Sequence, residues 1–252
     1  MHLTINQPAV VPASSCICSL DMHDYLNQLY LQISNFPKQV DATMLAYGAL
    51  AAVGGVVLYA NLPTRLTLGH VVPSVDYLSK AKLIPIITDE NHIDERIAVL
   101  ASSLFDKGPT MVMAVRRPGC MFCRKEAAAL SSLEPEAKAA GIEMVAVVHE
   151  TKGVNEFMPY FKGDVYYDKE RHFYGPNQRW LPLWMGFLRI KTYWNAYKTK
   201  KAGFVGNSDG EGRLLGGVYL VVNNELVYSH LEREWGDAAN IDEIRDAIRK
   251  LK

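Results

Sequence analysis

One junction constrains the fold of this 252-residue chain more than any other feature. Thr110 to Val115 (TMVMAV) is an apolar, β-rich run. A tight turn follows, Arg116-Arg117-Pro118-Gly119, and then Cys120-Met121-Phe122-Cys123. A six-residue apolar run without alternation reads as a strand buried on both faces. After Cys123 the period changes. Ala127, Leu130, Leu133, Ala137 and Ala140 form a helical stripe, with Pro135 expected to kink the helix and Gly141 to close it.

The same grammar continues downstream. Ile142 to Val148 reads as a second buried strand, and Val154, Phe157, Met158 and Phe161 as a short amphipathic helix. Val165 to Tyr167 is a brief strand, and Pro182 to Tyr197 holds a helix. Gly203 to Gly212 is a loop. Leu214 to Val222 and Leu226 to His230 flank Asn223-Asn224 as a hairpin. Asn240 and Glu243 form a capping box for a last helix with the stripe Ile241, Ile244, Ile248 and Leu251. Strand, cysteine turn, helix, strand, helix, strand, hairpin, helix is an α/β layer design: a central mixed sheet flanked by helices, thioredoxin-like in order.

The N-terminal part reads differently. Residues 1–18 look unstructured. Residues 19–34 form an amphipathic helix with Ser19 as cap and Met22, Leu26, Leu29 and Ile33 on one face. Met44 to Leu62 carries no charge and is long enough to cross a bilayer, at ~20 residues needed. Its apolarity comes largely from Ala and Gly, so a helix packed on the domain is the competing reading. The expected organisation is an N-terminal extension (1–65) with apolar helix 44–62, a connector (66–93) with a turn of helix at Ser74 to Lys82, and a thioredoxin-like α/β domain (94–252). That domain would begin with a helix on which Ile97, Leu100 and Leu104 share a face.

Composition excludes several classes. Lys+Arg and Asp+Glu both number 27, so there is no basic excess for nucleic-acid binding. Hydrophobic residues make up 49%, which excludes a disordered chain. Four cysteines are too few for a secreted disulfide scaffold. The Gly-rich run 203–217 lacks the order of a phosphate-binding loop, and no cofactor is called for.

The chemistry concentrates at Cys120 and Cys123. A thiol at a helix N-terminus has its pKa lowered by the unpaired N–H groups and the helix dipole. Arg116, Arg117 and Arg124 add positive potential. Cys120 is therefore the expected nucleophile, and Cys123, one turn on, the resolving thiol that closes a disulfide. Two alternatives stay open: half of a zinc site completed by Cys16, Cys18 or His23, and a pair of inert thiols. His149 is either a proton carrier or an ordinary strand-end histidine. The aromatic-basic run Trp180 to Lys201 is either a membrane- or partner-facing surface or plain helix packing.

The run RRPGCMFCRKEAAALSSL (Arg116 to Leu133) resembles the peroxiredoxin-like 2 family. So do PYFKGDVYYDKERHFYGPNQR (Pro159 to Arg179), GNSDGEGRLLGGVYLV (Gly206 to Val221) and EREWGD (Glu232 to Asp237). The resemblance covers roughly residues 75–252 and is strongest to the A-type branch. It implies a thioredoxin-like fold, a redox-regulatory antioxidant role and a redox-active pair at Cys120 and Cys123. It also implies a thioredoxin or glutathione electron donor, a peroxide or disulfide substrate, and a cytoplasmic location, with secretion of some members. B-type relatives imply the runner-up, reduction of a prostaglandin endoperoxide. A non-catalytic redox sensor is the other alternative. Peroxiredoxins proper carry Thr or Ser three residues before the peroxidatic cysteine; Arg117 stands there. Thioredoxins place a cis-proline opposite the cysteines; Gly216-Gly217 stands at the expected equivalent.

Overall fold

The computed structural model describes residues 22–34, 42–87 and 93–251. The chain divides into two compact units, residues 1–53 and 54–252. Helix α1 is Met22–Ser34, and α2 is Ala42–Ala60. Then come α3 (Thr64–Thr67), α4 (Val75–Ser79), β1 (Lys82–Pro85), β2 (Val99–Leu100) and α5 (Ser102–Phe105). The next stretch is β3 (Thr110–Val115), α6 (Met121–Ser131), α7 (Glu134–Ala139), β4 (Glu143–Val148), α8 (Val154–Phe157) and β5 (Asp164–Tyr167). It ends with α9 (Leu183–Leu188), α10 (Ile190–Lys201), β6 (Gly217–Val222), β7 (Glu225–Leu231) and α11 (Ile241–Arg249).

The sheet order is β2-β1-β5-β4-β3-β6-β7. β3 runs parallel to β4 and antiparallel to β6, and β4 runs parallel to β5. This mixed sheet is the thioredoxin-like arrangement. Every residue of β3 is buried, and its side chains alternate between two cores. Met111, Met113 and Val115 face one core with Ala127, Leu130, Ile244 and Ile248. Val112 and Ala114 face the other with Leu83, Phe173 and Tyr219. Both faces are covered, so the strand can be apolar throughout. Because β3 is an interior strand, buried on both faces, and its C-terminal end is the turn into α6, the cysteine turn is held by the core.

The hairpin turn is as expected: Asn223 and Asn224 both have positive φ (50° and 60°), the requirement of a type I′ turn. The Asn240 side chain caps α11 by accepting from the N–H groups of Asp242 and Glu243.

Four local expectations are corrected. The helix expected from Asp94 is instead a 3₁₀ turn (Glu95–Ile97), β2 and α5. Ala98 is extended, and Val99 and Leu100 pair with Leu83 and Lys82 of β1, so sheet pairing overrides the helical period. The kinked helix after Cys123 is two helices, with Pro135 in the first turn of α7, where its missing N–H costs nothing. The Pro182 to Tyr197 helix also splits, at an extended Arg189. The stretch 66–93 is more than a connector, since β1 pairs with β5 inside the sheet. The Ser19 cap and residues 1–18 lie outside the described residues.

Candidate active site

Cys120 caps the N-terminus of α6 in an extended conformation, and Cys123 sits in its first turn. Both are free thiols and both are buried, each 3% exposed. The Cys123 thiol donates to the Cys120 sulfur, and Arg116 Nη2 lies 3.1 Å from Cys120 Sγ. The thiol hydrogen bond, followed by the Arg116 charge, holds Cys120 well below the usual thiol range against the opposing effect of burial. The Phe122 N–H and the Arg117 charge add to it. Cys123 moves the other way, pushed well up by its bond to Cys120, by burial and by the Cys120 charge. One sulfur is thus prepared as a thiolate while its neighbour keeps its proton.

Arg116 is the pivot. It is 3% exposed, and its Nε lies 3.0 Å from Glu232 Oε1. Its Nη1 donates to Gly212 O, and Phe122 and Trp235 lie 5.9 and 6.0 Å from its guanidinium carbon. Burial alone would lower its pKa, but the charges of Cys120 and Glu232 hold it well above its ordinary value. Glu232 is itself fixed by the Gly216 N–H, 3.0 Å from its Oε2. A Cβ on Gly216 would lie 2.0 Å from Ala114 O, so glycine is what lets β6 enter this close to the end of β3.

The three arginines expected to raise the local potential separate. Arg116 touches the sulfur, and Arg117 reaches Asn207 O at 2.7 Å. Arg124 turns away to Val205 O and the Tyr160 ring. His149 is buried, its Nε2 2.8 Å from Arg116 O, and burial lowers its pKa. It buttresses the cysteine turn. Cys16 and Cys18 of the zinc alternative lie outside the described residues. Glu232 opens the EREWGD run (Glu232 to Asp237). Sequence spacing gives no sign of its role, because its pairing with Arg116 joins residues 116 apart.

Above the cysteines lies a cleft of about 410 Å³ whose walls include Arg117, Cys120, Phe122, Asn207 and Asp209. The loop after α10 forms its rim, held by the Asn207 N–H on Gly119 O at 2.8 Å. A second pair of carboxylates lies behind the site. Glu126, accepting from the Ala239 N–H, is pushed up to about 7 by burial and by the Glu232 and Asp237 charges. Asp237 stays ionised between Arg233 and His230.

A family model described as AhpC/TSA antioxidant enzyme matches residues 129–234, a range that begins after the two cysteines. Peroxiredoxin-like 2A of Bos taurus is 40% identical over 209 residues, 81% of this chain and 92% of the relative. The Xenopus tropicalis protein of that name is 37% identical over 211 residues, 82% of this chain and 89% of the relative. Among solved structures, the peroxidoxin BcpB of Mycobacterium tuberculosis aligns with a TM-score of 0.42 at 14% identity, covering 69% of this chain and 96% of that one. By its match to these two full-length relatives, the chain belongs to the peroxiredoxin-like 2A family.

Proposed function

We propose that the protein is a thiol-dependent reductase, with Cys120 as nucleophile and Cys123 as resolving thiol, serving an antioxidant, redox-regulatory role. The observation that carries this reading is the geometry of the pair: Cys120 stands at the N-terminus of α6 with Arg116 Nη2 3.1 Å from its sulfur, and Cys123 lies in the first turn behind it. With a peroxide, the Cys120 thiolate attacks one oxygen, and the O–O bond breaks to leave a sulfenic acid and an alcohol or water. Cys123 then displaces water and closes a disulfide. With a disulfide substrate, Cys120 forms the mixed disulfide and Cys123 releases the substrate reduced. In both cases an external reductant, either one dithiol of the thioredoxin type or two glutathione thiols, is oxidised to its own disulfide and returns Cys120 and Cys123 as thiols.

The burial of Cys120 and the size of the cleft favour a small peroxide over a folded protein as oxidant. A non-catalytic sensor would use the same first oxidation without turnover. Steady-state reduction of hydrogen peroxide, coupled to thioredoxin or glutathione, separates the two. Cys120→Ser is expected to abolish turnover, and Cys123→Ser to trap mixed disulfides. A pair that stays unlinked under oxidising conditions and binds zinc stoichiometrically would overturn the reading. We also propose a cytosolic redox domain, with α2 as a membrane anchor: it is long and apolar enough to cross a bilayer.

A further inference from the structure

Helix α10 is packed with its polar side inward. Thr192 and Thr199 are buried, and Asn195 bonds to Trp235 O. Ile190, Tyr193, Trp194 and Tyr197, spaced as one helical face, are 57–70% exposed. The adjoining α9 continues this outward surface with Leu183, Trp184 and Phe187. An amphipathic helix in a soluble domain normally turns its apolar stripe to the core. Here the stripe is left for something else, and it is rich in the aromatic residues that favour the membrane–water interface.

The surface is anchored to the end of α2. Ile190 N–H donates to Asn61 Oδ1, Asn61 Nδ2 donates to Leu188 O, and Arg189 Nε donates to Ala60 O. Tyr59 of α2 stacks on Trp184 at 6.4 Å. The outward aromatic face therefore begins where an apolar helix of bilayer-spanning length ends.

Charge points the same way. Residues 171–208 contain no Asp or Glu, in a chain whose charges balance as a whole, and Lys191, Lys198, Lys200 and Lys201 lie on α10. Where α2 ends there is also a cavity of about 460 Å³, lined by Arg65, Arg179, Arg189, Lys191 and Arg233 against the single acid Glu234. Arg179 and Arg189 are buried, 4% and 2% exposed. Arg179 donates to the carbonyls of Glu232 and Gly216. Arg189 donates to Thr64 Oγ1 and to backbone carbonyls, and Glu234 stands 3.8 Å away. Lys191 shares Glu234 at 3.8 Å and Arg233 pairs with Asp237 at 2.8 Å, so five cations stand against two acids and the net positive charge of the cavity attracts an anion.

We propose that the outward face of α9 and α10 lies in the headgroup layer of a bilayer containing anionic phospholipid, with a lipid phosphate at the mouth of the basic cavity. The aromatic stripe enters the interface beside α2, and the lysines meet the anionic headgroups. This rests on the reading of α2 as a membrane helix and is independent of the redox reading.

The test uses the full chain with phosphatidylcholine vesicles, with and without phosphatidylserine, carrying a lipid brominated near the headgroup end of its acyl chain. Trp184 and Trp194 report the face, while Trp180 and Trp235 sit half-buried in the domain. Strong quenching of the wild type is expected, with most of it lost in the Trp184→Phe/Trp194→Phe variant. Quenching should be greater with phosphatidylserine. That gain should vanish when Lys191 and Lys198 are changed to Glu, at roughly fivefold in binding for each charge removed. Equal quenching in wild type and variant, or none in either, would overturn the proposal. So would a lipid-free dimer that shields these tryptophans from acrylamide, which would assign the face to a second copy. Carbonate extraction reads α2 separately: a chain that resists it yet shows no Trp184 or Trp194 quenching keeps the anchor and loses the docking face.

Discussion

At the scale of single residues, the chemistry turns on how Arg116 divides its charge. Its Nη2 meets the Cys120 sulfur and its Nε meets Glu232, so one buried cation serves two anions. Arg116→Met is expected to raise the Cys120 pKa, because it removes the positive charge beside the sulfur, and so to slow alkylation at neutral pH. The pH dependence of iodoacetamide alkylation reads that shift. The same variant strands the buried Glu232 carboxylate, and about 3–5 kcal/mol of stability should go with it. Arg116→Lys keeps the charge but not the fork, so it should restore stability better than it restores thiol reactivity. Glu126 offers a second test. Its carboxyl is raised to about 7 in the fold, from an ordinary value of 4.5. Between those values the folded chain holds a proton that the unfolded chain has released, so stability falls as pH rises from about 4.5 to about 7. Glu126→Gln should flatten this slope and gain on the order of 1–3 kcal/mol at pH 8 with little change at pH 4. Urea midpoints at the two pH values check it, and identical slopes in both proteins would remove Glu126 as the cause.

At the scale of elements, the loop between α10 and β6 borders the cleft beside Cys120. Gly206 packs so tightly on the start of α6 that a Cβ would lie 2.3 Å from Met121 N and 2.6 Å from Gly119 O. Both are backbone atoms and neither can step aside. Gly206→Ala should lift the loop, break the Asn207 N–H bond to Gly119 O and speed alkylation of Cys120, at about 1–3 kcal/mol of stability. Slower alkylation would mean that the loop does not gate the sulfur. The geometry of the candidate site was only half legible in the sequence. Cys120 and Cys123 announce themselves, because thiol spacing and helix position act over four residues. β3, β4 and the Asn223-Asn224 hairpin were also readable, since apolar runs and turn residues act locally. Glu232, Gly206 and the roles of Arg116 and Arg124 were not, because each depends on a contact across many residues of chain. The same holds for β2, where Val99 and Leu100 suited a helix until β1 claimed them.

At the scale of the molecule, the two readings to reconcile are a reducing thiol pair and an apolar helix. A thiolate poised as Cys120 is needs a steady supply of reductant, which the cytosol provides through thioredoxin and glutathione. The charges beside α2 agree. Lys38 is the lone Lys or Arg in residues 1–41, while Arg65, Lys80 and Lys82 follow the helix. Positive residues favour the cytoplasmic side, and the redox domain lies on their side of α2. The basic, acid-free run 171–208 strengthens that bias, since the cytoplasmic leaflet is the one that carries the anionic lipid. In sealed microsomes, added protease is therefore expected to digest residues 65–252 without detergent. A fragment of that size protected until detergent is added would place the domain in the lumen. The cysteines would then face an oxidising compartment, where the pair would persist as a disulfide and serve as an oxidant of secretory clients instead of a reductant.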